Sequence, residues 1–430
     1  MQACKSFLIV LLLLSLESLI GQETEKAGRI ITHLSAQRMQ GRGYVKRGDL
    51  RAANYIRKEF SRIGLQALVK NYYQPFPVRV NTFPGKVTLK INGVALDPGY
   101  DYMVNPASPA LKGEFNVHRV LSGALMDNPT SVLNAAAGKV LVIDSRDQHE
   151  ADALEKNRLQ ALRRELIYRK DTGIKAIVDI SPDKLNFGTS GNVSVIPAIT
   201  VKDAAFPDTV LAFSATVATR YKTSHETVNV AACVPGTINP DSFVVFTAHY
   251  DHLGLMGRHT FFPGANDNAS GVALMISLAE YFQHHPQPFS VVFLAFSGEE
   301  AGLLGSKYFV ENPLIDLSAI RFLINLDLVG TGSEGITVVN GNVYSREFNL
   351  LSAINDREQL VVSVRKRGEA CNSDHCPFYR DGVPCFFIYT NGGIAAYHDP
   401  DDRAETLPLT AFDGLRRLLV KFTEEVMSNE

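Results

Sequence analysis

Apolar residues recur at three- and four-residue spacing through Leu50, Ala53, Ile56, Phe60 and Ile63, the period of an amphipathic helix. Gly64 follows as its stop signal. With the extended stretch after it, positions 22–78 read as helix, helix, strand, the second helix covering one face of a sheet. From Glu226 onward the pattern changes to near-continuous apolar runs at 228–232, 243–248, 291–296, 322–327 and 385–389. Such runs mark strands covered on both faces. Helical spacing fills the gaps at 269–284, 302–312, 345–355 and 409–426. The alternation predicts an α/β fold with a mixed, mostly parallel sheet sandwiched between helices.

Positions 79–225 have a different texture. Short β-rich pieces at 86–91, 139–143, 176–180 and 194–201 are broken by Gly, Pro and Asn, and one charge-dense helix is predicted over 150–169. This stretch reads as an inserted, mostly β module with that helix as a solvated face.

A chain of 430 residues with 45% hydrophobic side chains buries a large core. Its 43 basic and 45 acidic residues nearly cancel, which gives no electrostatic footprint for nucleic acid and favours a small or peptide substrate. The N-terminus combines Lys5, an apolar stretch from Phe7 to Leu14 and a small-residue exit near Gly21. That is the layout of a secretory signal over 1–21 and is too short for a membrane span. The expectation is an exported protein, periplasmic or secreted, with no membrane attachment once the signal is cleaved. Cys233, Cys371, Cys376 and Cys385 are too few for a disulfide scaffold. A single bridge, with Cys371 to Cys376 closing the shortest loop, and free buried thiols are both open readings.

Five acidic or histidine clusters stand in the last 190 or so residues: His249 with Asp251, Asp267, Glu299 with Glu300, Asp327, and His398. Four of them follow predicted strands, and in open α/β sheets ligands gather beyond the carboxyl ends of strands. Two imidazoles and three carboxylates form the mixed nitrogen and oxygen set that zinc prefers. Asp267, among small residues ahead of a helix, suits a carboxylate shared by two ions and equally suits an N-cap. Adjacent glutamates point in different directions, so one can bind metal while its neighbour serves as general base. Asp251 is placed to hold the second nitrogen of His249, and Asp402 is a comparable partner for His398. Asp374 and His375 suggest a structural or substrate-side role. His252, His259, His284 and His285 have no place in this scheme and are expected at the surface.

The ordered set HYD, GANDNASG, AFSGEEAGLLGS, LDLVG, SDHCPF with GVP, and YHDPDD resembles the secreted two-zinc exopeptidases typified by bacterial leucyl aminopeptidases. GRG before the cover helix and YYQPF after it fit the same pattern. The resemblance implies a catalytic domain over 22–78 and 226–430. It implies one zinc on His249, Asp267 and Asp327, the other on Asp267, Glu300 and His398, with Asp267 bridging. Glu299 becomes the general base, Asp251 stands behind His249, and the Asp267–Asn268 peptide bond is expected to be cis. Peptides are the implied substrates, cut near a free amino end. Segments GKVLVID, GIKAIVDIS and VIPAITV make 79–225 resemble a protease-associated domain.

Leu328, Phe387, Tyr389 and Tyr397 are candidates for an apolar side-chain pocket, with core packing equally open for Phe387. Glutaminyl cyclases, carboxypeptidases and dipeptidases share this architecture. The last two need a basic grip on a substrate carboxylate, for which Arg365, Lys366, Arg367 and Arg380 are the candidates. A binding protein with a vestigial site would have lost a ligand, and every expected ligand type is present.

Overall fold

The apolar runs assemble into one nine-stranded sheet. We describe it from a computed structural model in which residues 22–146 and 152–428 are described; the signal read over 1–21 lies outside them. Its main strands are β1 (Tyr73–Thr82), β2 (Arg220–Val234), β3 (Asn239–His249), β4 (Phe289–Phe296), β5 (Ile320–Leu326), β6 (Ile336–Val339), β7 (Val364–Lys366) and β8 (Cys385–Thr390). Across the sheet they run β2-β4-β3-β5-β8-β6-β7, with β1 and the short Gln66–Ala67 both paired to β2. Strands β4, β3, β5 and β8 are mutually parallel. Antiparallel pairs flank them at β2–β4 and β6–β8. This is the mixed, mostly parallel sheet that the apolar runs predict.

Helices α1 (Gly48–Ile63), α2 (Gly271–His284) and α3 (Phe412–Ser428) cover one face. Ala52, Ile56 and Phe60 of α1 share a core with Phe246, Phe293, Ile324, Leu415 and Leu418. A helix of this length is marginal in water on its own, so the buried stripe holds it in place. Gly64 adopts φ 90° and donates its N–H to the Phe60 carbonyl, the left-handed cap that glycine allows. The opposite face is closed by Leu304–Glu311 and His375–Arg380, which bring Phe309 and Phe378 against Val245, Leu294, Phe296 and Leu323.

Between β1 and β2 the chain builds two further sheets. One has five strands in the order Tyr102–Val104, Ala198–Lys202, Ala176–Ser181, Val140–Asp144, Val117–Leu121. The other has four, all antiparallel, and shares an apolar core with the first. The helix Ala153–Leu166 buries Leu159 and Leu166 and leaves Glu155, Lys156, Arg158, Arg164 and Glu165 in solvent, while Arg163 turns inward to pair with Asp179 at 2.7 Å. The stem strands β1 and β2 pair antiparallel from Tyr73↔Val230 to Thr82↔Arg220, with one register shift between Lys222 and His225 beside Val78.

Cys371 and Cys376 form a disulfide, and Cys233 and Cys385 are free and buried. Among the described residues no helix is long and apolar enough to cross a membrane.

Candidate metal centre

Parallel register brings the ends of neighbouring strands side by side. His249, the last residue of β3, lies opposite Phe296, the last of β4. Beyond β4 come Glu299 and Glu300, beyond β5 comes Asp327, and the loop after β8 carries His398. Asp267 arrives separately, in a π-helical turn over Ala265–Ser270 that leads into α2. The peptide bond after it is cis, as expected.

Asp267 stands between the two histidines. Its Oδ1 is 3.3 Å from His249 Nε2, and its Oδ2 is 3.1 Å from His398 Nε2. His249 Nε2 is also 3.4 Å from Asp327 Oδ1, and His398 Nε2 is 3.3 Å from Glu300 Oε2. Two nitrogen and oxygen clusters therefore share one carboxylate, each oxygen serving one side. Asp327 Oδ1 is buried with no hydrogen-bond partner. A buried carboxylate oxygen left in that condition is costly, and a divalent cation satisfies it. The donor set of two imidazoles and three carboxylates fits zinc.

Further contacts hold these ligands. The Ser373 hydroxyl donates to Asp327 Oδ2 at 2.9 Å and accepts from Asn325 Nδ2 at 2.8 Å. Ser373 lies inside the loop closed by the Cys371–Cys376 disulfide. His398 Nδ1 faces the Phe187 carbonyl at 3.1 Å, and the Phe187 N–H donates to the His398 carbonyl at 2.9 Å. Lys184 donates to the carbonyls of Ala395 and Tyr397 and pairs with Asp399 at 2.7 Å. The inserted module thus pins the loop that carries His398. Thr189 of the same segment donates to the Glu300 carbonyl.

Three expectations need correction. His252 is fully buried rather than at the surface: its Nδ1 is 2.7 Å from Glu300 Oε1, so Glu300 is held between His252 and His398. A histidine three residues past another on an irregular segment gives no periodic signal, and only the fold turns its ring inward. Asp402 does not partner His398. Its carboxylate accepts the N–H groups of Asn266 and Asp267 at 2.7 and 3.0 Å and so shapes the turn that presents Asp267. Asp251 meets His249 through its main-chain carbonyl, 3.2 Å from Nδ1, while its carboxylate lies 3.8 Å away. That carboxylate instead accepts from the Glu299 N–H at 3.2 Å and the Tyr44 hydroxyl at 2.9 Å, anchoring the main chain of the glutamate pair.

Burial, reinforced by Glu300, Asp374 and Asp327, pushes the Glu299 carboxyl well above its ordinary value against the pull of His249. Burial among other carboxylates favours the neutral form of such a carboxyl, the kind of environment in which acid–base carboxyls are found. Burial also raises Asp251 to about 6 and Asp374 to about 7. Asp374 is bound by the Ser306 hydroxyl at 2.5 Å, and His375 is bound to the Ala370 carbonyl at 2.7 Å, both structural contacts. Ligand atoms of His249, Glu299 and Asp327 lie within 4.8 Å of one another, as do those of His252, Asp267 and Glu300. Glu299 and His252 therefore border the two clusters.

The pocket candidates divide. Phe387 is buried and packs on His375 and Tyr389, which is core packing. Tyr397 is 43% exposed and stacks on His398 with centroids 3.9 Å apart. Leu328 and Tyr389 are half-buried. Of the basic candidates, Arg365 pairs with Glu334 and Lys366 lies over the Phe348 ring, while Arg367 donates to the Tyr389 hydroxyl at 3.2 Å. Arg380 is exposed on the short helix beyond the disulfide.

Residues 229–423 match Peptidase family M28. The chain is 26% identical over 328 residues to Aminopeptidase YwaD of Bacillus subtilis, covering 74% of this chain and 69% of that protein. Among solved structures it resembles a zinc aminopeptidase from Bacillus subtilis, with a TM-score of 0.69 at 21% identity over 94% of this chain and 95% of the other. A Peptidase M28 precursor from Shewanella amazonensis gives a TM-score of 0.70 at 17% identity over 96% and 97%. The two structural likenesses are likenesses of fold.

Proposed function

We propose that this chain, whose residues 229–423 form a Peptidase family M28 region, is a zinc-dependent aminopeptidase that removes N-terminal residues from peptides. The observation that carries the reading is Asp267 placing one oxygen towards each of two histidines, with the Glu299 carboxyl beside the cluster. His249, Asp267 and Asp327 would hold one zinc, and Asp267, Glu300 and His398 the other. Bound there, zinc ions supply Lewis-acid polarisation of the scissile carbonyl and acidify the attacking water.

The remaining work falls to the chain. Glu299 takes the proton from the attacking water and returns it to the leaving amine. Asp251 keeps Glu299 in place through its main-chain N–H. Ser373 fixes the Asp327 carboxylate, and the Phe187 carbonyl fixes the ring of His398. A free amino end is cationic and meets a cleft rich in carboxylates, whereas a blocked end loses that attraction. Stepwise loss from free amino ends, followed by mass spectrometry on peptides with free and blocked termini, is the expected result. A chelator should abolish it and zinc restore it; cutting of peptides blocked at the amino end would sink the exopeptidase reading.

His252 offers a sharper check on the ligand set. Replacing it with asparagine removes the ring that holds Glu300 Oε1 and is expected to weaken zinc binding by about tenfold or more. Competition with a chromogenic chelator measures it; unchanged affinity would make His252 a packing residue.

The same reading takes 1–21 as a cleaved export signal, 22–78 with 226–430 as the peptidase domain, and 79–225 as a module of protease-associated type. It places the protein in the periplasm or outside the cell. The Cys371–Cys376 disulfide supports an oxidising compartment.

A further inference from the structure

Arg42 lies far from the clusters in sequence, 225 positions before Asp267, and outside the matched region 229–423. Its side chain is fully buried. A guanidinium carries five N–H donors, and here five main-chain carbonyls accept them. Nε donates to Tyr250 at 2.7 Å. Nη1 donates to Leu34 at 3.2 Å and Pro263 at 2.7 Å, and Nη2 to Gly264 at 2.7 Å and Asp267 at 3.0 Å.

Four of the five acceptors belong to segments that carry the site. Tyr250 stands between His249 and Asp251, and Pro263, Gly264 and Asp267 trace the chain into the bridging carboxylate. Neither segment has a strand ladder to satisfy these carbonyls: that of Gly264 also accepts the Ala269 N–H at 3.2 Å, while a carbonyl such as that of Tyr250 would be costly to bury unpaired. The flanking glycines let the donor in. A Cβ on Gly43 would fall 2.4 Å from the Gly254 Cα, and one on Gly41, at φ 59°, would fall 2.4 Å from the Gly254 carbonyl oxygen. Only main chain fits against main chain there.

Burying a cation whose acceptors are all neutral is expensive, and a purely structural tie could be made with neutral groups. The cation has a use at this depth, because Asp267, Asp402, Asp251 and Glu300 all act on it electrostatically. It offsets part of the repulsion among the carboxylates while its donors fix their main chain. We propose that Arg42 is a positioning residue of the two-metal centre, setting the path of Pro263–Gly264 and Asp267 so that the aspartate offers one oxygen to each side.

The inference rests on the zinc peptidase reading, and one comparison separates the two. Wild-type protein that binds no zinc or cuts no peptide sinks that reading; wild-type protein that does both leaves only Arg42 in question. R42K keeps the charge but has three donors on a point centre in place of the planar fork. We expect R42K to bind zinc about 10- to 100-fold more weakly, the usual cost of losing an indirect partner. Its kcat should fall by a similar factor with KM within about threefold, the pattern of lost transition-state stabilisation. The cobalt-substituted protein should show altered d–d absorption, a signature that general destabilisation does not move. A folded R42K with the wild-type cobalt spectrum and kcat overturns the proposal. So does an R42K that stays unfolded at saturating zinc, since that marks a structural staple; recovery of fold in millimolar zinc with a changed cobalt spectrum supports it.

Discussion

Glu299→Gln is expected to lower kcat by about a thousandfold, within the range of a lost general base, while two zinc ions per chain remain bound. The amide keeps the size of the side chain and leaves the Asp251 anchor on the Glu299 N–H untouched, so the geometry of the cluster should survive. What the variant loses is the ability to accept a proton. Steady-state kinetics and metal analysis on the same sample read both quantities. Turnover within tenfold of wild type would remove Glu299 from the mechanism. A fall in zinc content has a different meaning: Glu299 shares a ligand-sized cluster with His249 and Asp327, and such a fall would place it among the ligands.

Asp267→Asn should act in the opposite order, on metal first and on turnover as a consequence. One carboxylate faces both histidines, so a single substitution removes a charged ligand from both ion positions. Zinc affinity is expected to drop by more than about 100-fold, beyond what loss of an indirect partner costs. The turn itself should hold. Asp402 grips the N–H groups of residues 266 and 267, and Asn268 bonds the Leu326 carbonyl and the Gly271 N–H. Calorimetric titration of the metal-free variant with zinc tests this, and two sites at wild-type affinity would overturn the bridging assignment.

The parallel core was legible because β4, β5, β8 and the second half of β3, from Phe243 on, are buried and mostly apolar. Strands β6 and β7, four and three residues long, are too short to set up a period. The candidate ligands were legible because each follows a strand end or a small-residue turn. Their supports were not. His252, Tyr44, Ser373, Phe187 and Arg42 act from loops or through main-chain carbonyls, and such contacts depend on tertiary approach rather than residue type. Asp251 and Asp402 show the same limit from the other side. Both carboxylates sit at the site, but each grips backbone N–H groups, for which residue spacing offers no distinguishing mark.

The paired stem has a bearing on how the chain reaches this state. Thr82 and Arg220 face each other in one ladder, although the chain between them is long. Closing a flexible loop of about 140 residues costs roughly 4 kcal/mol in chain entropy. If that segment folds first around the apolar core that lies wholly within it, it delivers both strands already close together and most of that cost has been met locally. Lys184, Phe187 and Thr189 reach the catalytic loops from the same segment. Order of assembly would then run from the insertion outward, with the sheet edge zipped next and the His398 side of the centre completed last.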